Sequence, residues 1–128
     1  MFTIGHIAKR TNVSVETIRY YEQRGLLPDP KRRPFSGYRL YDEDAISRLR
    51  FIKRAQELGF SLTEIRELLF LTACNDVKER SIQKINELNG KIKTLQKMKR
   101  ALERLVKTCK NKGYRNECPI VDALGKDE

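Results

Sequence analysis

Residues 74–109 read CNDVKERSIQKINELNGKIKTLQKMKRALERLVKTC. Ile85, Leu88, Ile92, Leu95, Leu102 and Cys109 fall on alternating three- and four-residue steps, and Lys99 is the one charged member of the series. Ile82, Met98 and Leu105 widen the stripe, and nearly everything else is Lys, Arg, Glu, Gln or Asn. That period predicts one long amphipathic helix from about Asp76. A seam so narrow buries poorly against water and well against another helix, so it reads as a coiled-coil dimer interface. Asn89-Gly90 is a turn dipeptide near the middle of the stretch, and a helical hairpin there is the competing reading. The apolar phase runs through the glycine without a slip, whereas a two- to five-residue turn would break it. A lone Gly inside a helix costs only about 1 kcal/mol against Ala. The continuous helix is therefore preferred.

The chain has three cysteines, and their positions give this helix its meaning. Cys74 stands just before it, Cys109 closes it, and Cys118 follows beyond a turn. At about 1.5 Å per residue, an unbroken helix would hold Cys74 and Cys109 of one chain roughly 50 Å apart. They could meet only across an antiparallel pair of chains. Cys74, Cys109 and Cys118 are thus expected to form a three-thiol metal site shared between two copies. Pro119 favours a first helical position, so Cys118 would cap a short helix through Ile120, Val121 and Leu124. At such an N-terminus a thiolate is easily held. Lys107, Lys110, Lys112 and Arg115 would offset its charge. For Cys109 alone, a buried packing role is the blander reading. The donor set is sulfur, which selects soft cations. Structural zinc prefers four tetrahedral ligands, so Hg(II), Pb(II) or Cd(II) fits three thiolates better. The one histidine, His6, lies far away in the sequence and reads as a partly exposed helix residue.

Upstream, residues 1–26 read as two short helices. Thr3 and Ser14 are their caps, Asn12-Val13 is the turn between them and Gly25 is the stop. The second helix carries Glu16, Thr17, Arg19 and Tyr20. Helix, short turn and polar helix form a nucleic-acid-binding pattern. Pro28, Pro30 and Pro34 forbid a helix interior. Gly37-Tyr38-Arg39-Leu40-Tyr41 then suggests a β-hairpin wing carrying Lys31, Arg32, Arg33 and Arg39. Asp42 caps a third helix with Ile46, Leu49, Phe51 and Ile52 on its apolar face and Gly59 at its end. Ser61 and Glu64 form a capping box for a fourth helix through Leu71, which buries Ile65, Leu68 and Leu69.

Composition agrees. With 27 Lys+Arg against 17 Asp+Glu, the net charge of +10 favours a polyanionic partner. No apolar run approaches the roughly 20 residues of a membrane span. The start lacks the regions of a signal peptide, so a cytoplasmic location without membrane contact is expected. No paired base, phosphate loop or second histidine points to catalysis, and the protein is expected not to be an enzyme. The expected architecture is mainly α. A winged helix-turn-helix DNA-binding head (1–73) leads into a long antiparallel coiled-coil dimerisation helix (74–109). A C-terminal metal-binding loop with a short helix (110–128) follows.

Three motifs carry a resemblance. The head motif is Thr3-Ile4-Gly5 with Val15-Glu16-Thr17-Ile18-Arg19-Tyr20-Tyr21-Glu22 and Gly25-Leu26-Leu27-Pro28. The second is the Gly37–Tyr41 wing, and the third is Arg50-Phe51-Ile52-Lys53-Arg54-Ala55-Gln56-Glu57-Leu58-Gly59-Phe60-Ser61-Leu62. The chain resembles the MerR family of transcriptional regulators nearly end to end. Its cysteines, with Glu117-Cys118-Pro119-Ile120, are similar to those of mercury-responsive members, and lead-sensing members carry a related spacing. The resemblance implies a homodimer on double-stranded promoter DNA whose polymerase elements are spaced too far apart. Such a dimer represses without metal. With metal it distorts the DNA so that RNA polymerase can open it, here at a mercury-resistance operon with Hg(II) as inducer. It also implies DNA contacts from Ser14, Thr17, Arg19 and Tyr20, phosphate contacts from Tyr38 and Arg39 in the wing, and help from Lys53. Tyr21 is assigned to the core and Tyr20 to contact. The rival readings are a lead or cadmium sensor of the same family, a cytosolic thiol metal-binding protein without a promoter, and a thiol redox switch. A metal buffer needs no helix-turn-helix and wing, and the absence of a Cys-x-x-Cys pair argues against the redox switch.

Overall fold

The computed structural model describes residues 1–28, 30–32, 39–110 and 113–126. Its elements are α1 (Ile4–Thr11), α2 (Val15–Gln23), β1 (Lys31–Arg32), β2 (Arg39–Leu40), α3 (Glu43–Glu57), α4 (Leu62–Phe70), α5 (Cys74–Thr108), a 3₁₀ turn (Arg115–Glu117) and α6 (Pro119–Leu124). They fall into two compact units, Met1–Arg80 and Ser81–Glu128.

In the first unit, each helix starts where a short polar side chain takes an orphan amide. Thr3 Oγ1 accepts from His6 N–H, Ser14 Oγ from Thr17 N–H and Asp42 from Ala45 N–H. The Ser61–Glu64 capping box is complete in both directions. Asn12 ends α1 in the left-handed region at φ 56°. Gly25 and Gly59, also at positive φ, follow the ends of α2 and α3. β1 and β2 pair antiparallel, Lys31 opposite Leu40 and Arg32 opposite Arg39. The hairpin is therefore present, while its expected turn, with Tyr38, lies outside the described residues. Phe2 bridges to Tyr41 through two backbone bonds of 2.7 and 2.8 Å and so ties the N-terminus to the hairpin exit.

These elements close over one apolar cluster. Ile7 from α1, Ile18 from α2, Ile46, Leu49 and Ile52 from α3 and Ile65 from α4 have no exposed surface. Two expectations change here. Phe51 is 41% exposed, because it lies 100° round α3 from Ile52, outside the stripe formed by Ala45, Ile46, Leu49, Ile52 and Ala55. On α4 only Ile65 is fully buried, Leu68 and Leu69 are half-buried, and the helix stops at Phe70 with Leu71 as its cap.

α5 runs unbroken for 35 residues, so the hairpin at Asn89-Gly90 is not formed. It starts two residues earlier than expected, at Cys74 rather than about Asp76. Asp76 and Val77 amides donate to Ala73 O at 3.1 and 3.4 Å, which places Cys74 inside the first turn rather than ahead of it. Its apolar stripe is uncovered: Ile85, Ile92, Leu95, Met98, Leu102 and Val106 are all more than half exposed. The one buried residue of α5 is Lys84. Its ammonium lies 2.5 Å from Glu87, which also reaches Lys91 at 3.7 Å.

Leu49→Ala should destabilise the first unit by about 2–5 kcal/mol, the range for emptying a well-packed aliphatic site. Denaturant titration of the purified protein followed by circular dichroism measures it, and a loss below about 1 kcal/mol would mean that the site collapses freely.

Candidate functional site

α2 and Cys74 belong to the first unit, and Cys109 and Cys118 to the second. On α2, Ser14 and Thr17 form one local unit. The Ser14 hydroxyl donates to Thr17 Oγ1 at 2.7 Å and accepts the Thr17 amide at 3.1 Å. Both residues therefore start the helix as well as stand near its exposed side. Arg19 is exposed, and Tyr20 is 45% exposed with the Arg24 guanidinium 5.7 Å above its ring. Arg24 was not singled out in the sequence, although an aromatic and a cation four residues apart on a helix are neighbours. Lys53, half-buried, donates to Thr11 O at 3.4 Å and so places a cation at the C-terminal end of α1, where the helix dipole favours it. The backbone of Arg39 lies in β2. Tyr38 falls outside the described residues.

Tyr21 is core, as expected. It is 6% exposed, and its hydroxyl donates to Gln56 Oε1 at 2.8 Å. Burial pushes its phenol up from the ordinary value of 10.0, and the bond to Gln56 opposes the shift. The Tyr41 hydroxyl donates to Glu22, which joins the end of the hairpin to α2. Beside the Phe2–Tyr41 bridge, His6 stacks on Phe2 with centroids 5.0 Å apart. The guanidinium of Arg10 covers the same ring at 5.3 Å and pairs with Glu43 at 3.2 Å.

Cys74, exposed, begins α5. Cys109, half-buried, follows its last residue and donates its amide to Val106 O at 3.1 Å. Cys118, half-buried, precedes α6 as its N-cap, with Pro119 at the first helical position as the sequence suggested. None of the three is in a disulfide. Among the described residues, no three His, Cys, Asp or Glu side chains of one chain gather into a cation site. No helix among them is long and apolar enough to cross a membrane.

Comparison with known proteins places this arrangement. The profile of the MerR HTH family regulatory proteins matches residues 2–70, and a second, described as MerR, DNA binding, matches residues 46–105. The chain belongs to the MerR family. The first MerR match runs from the residue bridged to Tyr41 to the end of α4, and the second from the first turn of α3 through most of α5. A mercuric resistance operon regulatory protein of Bacillus cereus is 42% identical over 98% of both chains. PbrR691 of Ralstonia metallidurans CH34, solved with lead(II), is 35% identical with a TM-score of 0.86, covering 98% of this chain and 100% of its own. MerR of Bacillus megaterium MB1, solved with mercury(II), is 38% identical with a TM-score of 0.76 over the same shares. The relatives are DNA-binding transcriptional regulators and not enzymes.

The raised Tyr21 phenol fixes a sign. The folded head disfavours tyrosinate, so Tyr21 contributes stability in full below the unfolded value of 10.0, and loses it as pH rises through the folded value. Unfolding free energy should fall more steeply above pH 10 in the natural protein than in Tyr21→Phe. Denaturant midpoints across pH 8–11 compare the two; equal slopes would show that Tyr21 titrates as it does unfolded.

Proposed function

We propose that this MerR-family protein is the metal-responsive regulator of a mercury-resistance operon, with Hg(II) as inducer. One observation carries the reading. α5 runs unbroken for 35 residues from Cys74 to Thr108, so a rise of about 50 Å at 1.5 Å per residue separates Cys74 from Cys109. A shared site therefore needs a second copy. The uncovered stripe of α5 supplies the surface for that copy, running antiparallel. Residues 1–73 would then form the DNA-binding head, 74–109 the dimerisation helix and 110–128 the metal-binding loop.

In this homodimer, Cys74 of one chain joins Cys109 and Cys118 of the other at each end of the helical pair. The proposed donor set is three sulfurs, which fits a soft cation. Bound there, Hg(II) supplies cross-chain bonds. Ligation by thiols from both chains favours one arrangement of the two helices, and the heads pass that preference to the duplex. Ser14, Thr17, Arg19 and Tyr20 read or grip the promoter, and Tyr38, Arg39 and Lys53 hold its phosphates. The apo dimer keeps the promoter in a form RNA polymerase cannot open, and the ligated dimer twists and bends it. A second reading, a lead sensor, is favoured by the higher TM-score of the lead-bound neighbour, and cadmium belongs to the same class of soft cations.

Two experiments test this. Cys74→Ser, Cys109→Ser and Cys118→Ser should each abolish Hg(II)-dependent transcription in vitro while operator affinity stays at the natural level. Full induction in any one of them removes that cysteine from the site. Competition titration of the dimer with Hg(II), Pb(II), Cd(II) and Zn(II) under excess small thiol then ranks the cations, and Pb(II) ahead of Hg(II) would select the second reading. Arg19→Ala should weaken operator binding and lower the slope of log affinity against log salt by about 1. An unchanged slope with unchanged affinity would take Arg19 off the duplex.

A further inference from the structure

The return from α5 to Cys118 turns on Gly113. Its φ is +93°, in the left-handed region that disfavours any Cβ. A Cβ built there would stand 2.5 Å from Glu117 Oε2 and 3.5 Å from Glu117 Cβ. The Glu117 side chain thus lies folded across the bare glycine. Its backbone is held as well: Glu117 N–H donates to Tyr114 O at 2.9 Å, and Cys118 N–H donates to Arg115 O at 3.1 Å. The 3₁₀ turn is wound against Gly113, and Cys118 leaves directly from it into α6.

We propose that Gly113 is a positioning residue for the Cys109–Cys118 thiol pair. The left-handed glycine, bare enough for the Glu117 side chain to fold across it, keeps the return in the form that presents Cys118 with Cys109 to a thiophilic cation. This rests on the reading of Cys109 and Cys118 as ligands. A return already ordered before ligation loses less conformational freedom when the cation arrives, and binds it more tightly for that reason. Alanine at 113 acts in two separable ways. It strains the backbone, and it displaces the Glu117 carboxylate, which as the end of a flexible chain can swing aside. Removing the Glu117 side chain relieves the second effect and leaves the first.

The test uses the full-length protein and Hg(II) in competition with excess small thiol, read by the near-ultraviolet thiolate-to-metal absorption. Operator affinity of the metal-free protein and its thermal midpoint are measured alongside. Gly113→Ala should bind Hg(II) about tenfold more weakly, with operator affinity and thermal midpoint unchanged. The double variant Gly113→Ala/Glu117→Ala should recover part of that loss, and Glu117→Gln should stay within about twofold of the natural protein. Natural Hg(II) affinity in Gly113→Ala overturns the proposal. So does a loss that appears only together with a lowered thermal midpoint, or one that the double variant fails to relieve. If Cys109→Ser and Cys118→Ser both keep natural affinity, the ligand reading itself falls. If they lose it while Gly113→Ala does not, the positioning role alone falls.

Discussion

The structure turns on an apolar stripe that its own chain does not cover. α5 presents Ile85, Ile92, Leu95, Met98, Leu102 and Val106 at more than half exposure, and buries only a lysine. Helices take most of their stability from packing such a face, not from propensity. At about 25 cal/mol per Å² of apolar surface, leaving the stripe in water forgoes the largest favourable contribution available to this element. The head is in the opposite condition. Among the described residues, seven aliphatic side chains are fully buried, six of them from four helices and Leu26 from the chain after α2, and no buried side-chain polar atom lacks a partner. One part of the chain is self-sufficient and the other calls for company, which suits the regulator proposed above, with a finished domain for DNA and an unfinished helix for a second copy.

What could be read from the sequence follows the range of each interaction. The caps at Thr3, Ser14, Asp42 and Ser61 depend on an oxygen and an amide three residues away, so the letters alone place them. The family motifs and the continuous phase of α5 were legible for the same reason, since a period belongs to one strand of text. Phe51 was misplaced because a window of apolar letters does not say which flank of a stripe meets the neighbouring helices. Lys84 could not be found at all by hydrophobicity. A charged residue is buried only when its surroundings and a partner allow it, although Glu87 three residues on was a visible signal. Adjacent Tyr20 and Tyr21 were separable because a step of 100° puts one outward and one inward.

The candidate interface was legible as residue types and not as geometry. Ser14, Thr17 and Lys53 each already hold a structural bond in the head, so their side chains have two physical reasons to be present. Arg19 has no such bond among the described residues, and its exposed guanidinium is the least ambiguous group on α2. Tyr20 is intermediate, solvent-facing yet held under Arg24. The thiols behave alike. Their spacing suggested a shared site, but the described residues of one chain bring no three donors together, so the proposed site would take its geometry from a second copy.

Gly90 is the sharpest instance of that implication. It sits inside α5, where glycine costs about 1 kcal/mol against alanine. Nothing in its own chain requires it, since no heavy atom lies within 4 Å of a Cβ placed there. Its backbone is ordinary helix, with the Thr94 hydroxyl donating to its carbonyl at 3.1 Å. The two usual reasons for a glycine, a left-handed backbone and crowding within the fold, are therefore both missing. The residue lies close to the midpoint between Cys74 and Cys109, which is where two antiparallel copies joined at those thiols would cross. In the proposed dimer, close approach of a second backbone would supply the physical reason. It would come from the same antiparallel pairing proposed to bring the thiols together.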